Sequence, residues 1–166
     1  MNDLEIATRI LLEKDLTLVI VKNGVEIFQT DSHRISGFIK AIDILGTQLA
    51  TASVADRVAG KALALLCVYS QVQAVYAEVM SKKAKSLFDN YKISCEGNEL
   101  VDNVLDVEKK EVCPFERIAE KIKDPEQSYS TFKALLEKMR ACLNNSPKIL
   151  ATFIRLKLVI FKFSKI

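Results

Sequence analysis

Residues 72–95 read VQAVYAEVMSKKAKSLFDNYKISC, and their order decides the class of fold. Val72 to Met80 is rich in apolar residues and reads as a buried strand. Ser81 offers a hydroxyl that can cap a helix over Lys82 to Asn90, and the chain returns in a short strand near Ile93-Cys95. Strand, helix and strand in that order predict a parallel pair joined by a right-handed crossover, and hence an α/β domain.

Working toward the N-terminus, Leu16–Val21 and Val25–Gln29 are two β-rich runs separated by Asn23-Gly24. Both turn residues tolerate positive φ, the chemistry of a two-residue hairpin. Asn2 with Glu5 three residues on is a helix start, and Leu4, Ala7, Ile10 and Leu11 supply its apolar face. Ile35, Phe38, Ile39, Ile42 and Leu45 recur at helical spacing. Gly46 to Thr51 reads as a loop, after which Ser53 is expected to cap a longer helix running to about Val68.

Toward the C-terminus, Glu96 to Val112 is polar and takes no clear assignment. Cys113-Pro114 opens a further helix with proline at its first position, and Asp124-Pro125 repeats the signal for a last helix to about Leu143. Together these elements predict a three-layer α/β/α sandwich, with a mixed sheet made of an N-terminal antiparallel hairpin joined to a parallel section. Residues 1–145 are expected to form the domain and 146–166 a basic, apolar tail.

Charge is placed unevenly. The tail carries Lys148, Arg155, Lys157, Lys162 and Lys165 without an acid, which leaves the first 146 residues with 19 basic and 21 acidic residues. A near-neutral body argues against nucleic acid as the main partner, because phosphate binding needs clustered lysine and arginine. Three readings of the tail stay open: an extra element on the domain edge, a membrane-surface segment, or a partner-binding end. No apolar run is long enough for a transmembrane helix, and the acidic N-terminus lacks the build of a signal peptide, so a cytoplasmic setting is expected. Cys67, Cys95, Cys113 and Cys142 are widely spaced and are expected as free thiols. With His33 the single histidine, a structural zinc site is not expected.

The stretch Ser53-Val54-Ala55-Asp56-Arg57-Val58-Ala59-Gly60-Lys61 is the main candidate site. Wound as a helix, it puts Ser53, Asp56, Arg57, Gly60 and Lys61 on one side. The helix start would offer free N–H groups to an anion, and Gly60 would allow close approach. The same residues also fit a solvated face without a ligand. Cys113-Pro114-Phe115-Glu116 is the second candidate, a cysteine at a helix start, although Glu111 and Glu116 oppose thiolate formation and an ordinary capping thiol fits as well. His33, in Thr30-Asp31-Ser32-His33-Arg34, reads as a solvated loop histidine.

The run from Ser53 to Ala62, then Val75-Tyr76-Ala77 with Ser81, then Cys113-Pro114-Phe115-Glu116, resembles a prokaryotic family, domain of unknown function 1893, over roughly Asp3 to Met139. The resemblance implies a cytidine-deaminase-like fold and carries over Asp56, Gly60, Lys61, Cys113, Pro114 and Glu116 as matching positions. Zinc deaminases need His-x-Glu or Cys-x-Glu at one helix start and Pro-Cys-x-x-Cys at the next. Here the places read Val54-Ala55-Asp56 and Met80-Ser81-Lys82-Lys83, which supply neither thiolate nor imidazole. Zinc-dependent deamination is therefore not expected, no cofactor is implied, and whether the chain is an enzyme stays open. The chain departs from the family at Asp102, at Asp106-Val107, where an Asn-Arg pair is usual, and at Glu111. Two functions remain: binding of a nucleotide-like or other anionic small ligand by Ser53, Asp56, Gly60, Lys61, Cys113 and Glu116, or a non-catalytic interaction or regulatory role on the same scaffold. Neither fixes an oligomeric state.

Overall fold

The computed structural model describes residues 1–32, 35–106 and 111–144. His33, Val107 and the tail from 145 onward, on which some of the expectations above fall, lie outside the described residues.

Helix α1 (Asp3–Glu13) starts as its sequence requires: the Asn2 side chain accepts from Glu5 N–H while the Glu5 carboxylate accepts from Asn2 N–H. Strands β1 (Leu18–Lys22) and β2 (Val25–Thr30) form the expected antiparallel hairpin. Asn23 at φ 52° and Gly24 at φ 76° make its turn. The Asp3 carboxylate accepts from the Asn23 and Gly24 N–H groups at 2.8 and 2.7 Å, which ties the turn to the start of α1.

After α2 (Ser36–Leu45) and a short 3-10 turn, the chain departs from expectation. Residues Ser53–Ala59 are not a helix but strand β3, and helix α3 (Lys61–Tyr69) begins only after Gly60. β3 is the central strand, antiparallel to β1 and parallel to β4 (Ala74–Ser81). Val54 stands opposite Ile20 on one side and Val75 on the other. The alanines, serine and charged residues of this stretch favour a helix locally, but ladders on both edges satisfy its backbone and override that preference. The charged side chains that a helix would gather on one side are consequently divided, since successive strand residues point to opposite faces.

β4 leads through α4 (Lys82–Asn90) to β5 (Ser94–Val101), parallel to β4 as expected. Ser81 caps α4, its hydroxyl accepting from Ala84 N–H at 3.0 Å. β5 runs to Val101, well past the short strand expected at Ile93-Cys95, and takes up the start of the polar stretch. The sheet order is β2-β1-β3-β4-β5, open and mixed, with helices on both faces. On one face Leu4, Ala7 and Leu11 of α1 pack with Val19, Val21, Ala55, Ala74 and Tyr76. The opposite face, with α3 and α4, holds buried Leu18, Ile20, Val54 and Val75.

Helix α5 (Pro114–Ala119) has proline at its first turn, as expected. The Asp124 side chain caps a 3-10 turn that begins at Pro125 and leads into α6 (Ser128–Asn144). Residues Met1–Ser130 form one compact unit, and the described part of a second, Thr131–Ile166, continues α6.

Candidate functional site

The two parallel strands β3 and β4 end where α3 and α4 begin, and most of the anticipated residues meet there. Gly60 is the N-cap residue of α3 and has no side chain to cap with. That role is taken from a distance. The Glu116 carboxylate of α5 accepts from Lys61 N–H and Ala62 N–H, both at 2.9 Å. A β-carbon at position 60 would overlap this carboxylate, so glycine is required by close approach, as anticipated, but of an internal anion.

Glu116 is buried, and burial pushes its carboxyl above the ordinary range. The Ala62 and Lys61 N–H bonds and the charges of Lys83 and Lys61 act in the opposite sense. Cys113 is the N-cap residue of α5, half-buried, with its own N–H donated to the Val104 carbonyl at 3.1 Å. Gly60, Lys61, Cys113 and Glu116 thus come together. Ser53 does not. It lies buried at the opposite end of β3, about 20 Å of extended chain from Gly60, and caps no helix.

Asp56 sits between these extremes, half-buried in β3. Arg57 turns to the other face, where it donates to the carbonyls of Leu16 and Leu11 and pairs with Asp15 and Glu78. The Asp56 carboxylate accepts one hydrogen bond among the described residues, from Val58 N–H at 2.9 Å. Desolvation pushes its carboxyl up to about 7, against the opposing pull of the Val58 and Arg57 N–H groups and the Arg57 charge. Cys67 of α3 feels both its own burial and the Asp56 charge, and its thiol is driven well above the usual range. Val58, two residues along the same face, is 41% exposed, so water reaches this end of the strand.

Sequence reasoning did not find the role of Lys83, which pairs with Glu120 and donates to Asn103. Neighbouring Lys82 pairs with Asp102 at 2.7 Å, so one departure from the family pattern supplies a counter-charge. Glu111 faces Arg117 at 3.5 Å. Among the described residues, no group of three or more histidine, cysteine, aspartate or glutamate side chains is placed to hold a metal ion, the four cysteines are free, and no helix is long and apolar enough to cross a membrane.

Fold and site define a mixed α/β domain whose first crossover helix is capped by a carboxylate from a later helix. The chain belongs to the family described as domain of unknown function DUF1893, whose model matches residues 6–136. It is similar to the crystal structure, at 2.70 Å resolution, of a DUF1893 family protein from Thermotoga maritima, with 28% identity and a TM-score of 0.73 over 82% of this chain and 90% of that one. No curated protein matches it.

Proposed function

We propose that the chain is a binding module for a small, nucleotide-like anionic ligand, lying along the carboxyl end of β3 between Asp56 and Lys61. The observation that carries this reading is Asp56, a half-buried carboxylate with a single hydrogen bond among the described residues and a pKa near neutrality. Burying a carboxylate is costly, and groups perturbed in this way are concentrated at functional sites. Ligands of open α/β sheets also gather beyond the carboxyl ends of the strands. We read the fold as the cytidine-deaminase-like one implied by the resemblance, without its zinc site, and the setting as cytoplasmic.

Near pH 7 Asp56 can either donate to or accept from a sugar or base. Because Glu116 already holds the N–H groups of α3, a ligand phosphate falls to the Lys61 side chain. About 13 Å of strand separates Asp56 from Gly60, a span suited to a nucleotide rather than a lone phosphate.

A non-catalytic interaction or regulatory role is the second reading. It is favoured by the internal neutralisation at the helix starts: Glu116 on α3, Asp102 on Lys82 and Glu120 on Lys83. Thermal shift and calorimetry against nucleotides and nucleotide sugars separate the two. A binder whose affinity falls about tenfold or more on Lys61→Ala supports the ligand reading. No binder at millimolar concentration, or one indifferent to both Lys61→Ala and Asp56→Asn, rejects it and leaves the interaction role.

A further inference from the structure

The sheet has one long, open border. β5 is its last strand, hydrogen-bonded in the sheet only to β4, and six of its eight residues are exposed, with only Cys95 and Val101 half-buried. It contains no proline, and its other edge presents a row of backbone donors and acceptors without a sheet partner. Such an edge is a template for another strand unless something blocks it. α1 lies over β1, β3 and part of β4, and stops short of β5. Between them runs a groove of about 450 Å³ whose lining includes Leu12, Glu13, Tyr76 and Glu96.

The charge along this border is of one sign. Glu96 and Glu99 project from β5 and neither joins an ion pair among the described residues. Glu5 and Glu13 stand across the groove, with Arg9 the one base in its lining. Lys85 is committed to Asp89. Leu100 is half exposed and offers an apolar contact beside the acids.

We propose that the free edge of β5 receives an extended segment of a partner protein in which basic residues alternate with apolar ones, so that the sheet gains a sixth strand. Main-chain bonds to β5 supply the affinity, and the carboxylates of Glu96 and Glu99 select the partner. A second copy of this chain fits poorly. The antiparallel register that pairs all eight residues sets Glu96 opposite Glu99 of the other copy at both ends, and like charges directly opposite destabilise a ladder. The surface is separate from the Asp56–Lys61 site, so the two readings stand or fall independently.

The test uses the whole chain and two synthetic octapeptides, one alternating valine with lysine and one alternating valine with glutamate. Amide hydrogen exchange locates the contact and calorimetry measures it. The lysine peptide should slow exchange at 94–101, bind more weakly as salt rises, and lose about tenfold in affinity on Glu96→Lys with Glu99→Lys. The same double variant should gain affinity for the glutamate peptide. Circular dichroism of the variant checks that these exposed substitutions leave the fold intact. No protection of β5 at millimolar peptide, protection elsewhere, or binding indifferent to the charge reversal overturns the proposal. Concentration-dependent protection of β5 without peptide overturns it in favour of self-association.

Discussion

The Glu116 carboxylate occupies the space that a side chain at Gly60 would need, and from there it caps helix α3 through the N–H groups of Lys61 and Ala62. A helix N-terminus leaves donors unpaired and carries partial positive charge, so a buried carboxylate is a natural partner for it. Here the anion comes from the same chain, and the glycine and the glutamate are fitted to one another.

Gly60→Ala should therefore destabilise the protein by about 1–3 kcal/mol, because the added methyl group displaces a carboxylate fixed by two bonds. Urea unfolding of the single and double variants checks the cause. Gly60→Ala combined with Glu116→Ala should cost clearly less than the sum of the two alone. Strict additivity would show that the methyl group meets something else.

Glu116→Ala by itself leaves two helix donors without their partner and should cost about 1–3 kcal/mol. The vacated place is an anion site by construction. Sodium sulfate should consequently raise the melting temperature of Glu116→Ala more than that of the parent protein, which shares only the general effect of the salt. Equal responses would mean that water alone heals the helix start.

Asp56 gives a pH dependence of definite sign. Its carboxyl rises from 3.8 to about 7 on folding, so the stability linked to it is fully present below pH 3.8 and is lost as pH rises through 7. Asp56→Asn keeps an acceptor for Val58 N–H without the charge. Its melting temperature should exceed that of the parent by several degrees at pH 8 and match it near pH 4. A constant difference across that range would remove desolvation as the cause.

Arg57 joins four partners on the α1 face, two of them carbonyls near the end of α1. Arg57→Met keeps much of the stem and discards the guanidinium, and should cost about 2–3 kcal/mol in chemical denaturation, as expected for lost bonds to a charged group. Adding Glu78→Gln should recover part of that loss, since the half-buried Glu78 then no longer carries an unpaired charge. No recovery would assign the loss to the α1 carbonyls.

Cutting the chain after Asn145 should leave the melting temperature unchanged, because the caps and core described above all precede that point. Aggregation, or a fall of several degrees, would show that the basic tail packs into the domain.

The features legible in the sequence depend on neighbours within a few positions. Asn23-Gly24 make their turn by their own φ angles, Asn2 and Glu5 close their capping box across three residues, and Ser81 caps α4 in the same way. The β4–α4–β5 unit follows because a buried apolar run before a capped helix can be read locally. The residues from Ser53 to Ala59 carry no such signal. Their polar residues fit a helical stripe equally well, and only pairing with β1 and β4 makes them a central strand. That pairing separates Asp56 from Arg57, leaves Ser53 far from Lys61, and moves the helix start to Gly60. Glu116 and Lys61 could both be singled out as candidates from the chain, but not their bond, which spans 55 positions. The sequence by itself determined the hairpin, the caps and the α/β class, through short-range backbone preferences. Tertiary structure alone decided which face each charge took and which anion closed the helix, because both depend on strands and helices brought together from distant parts of the chain.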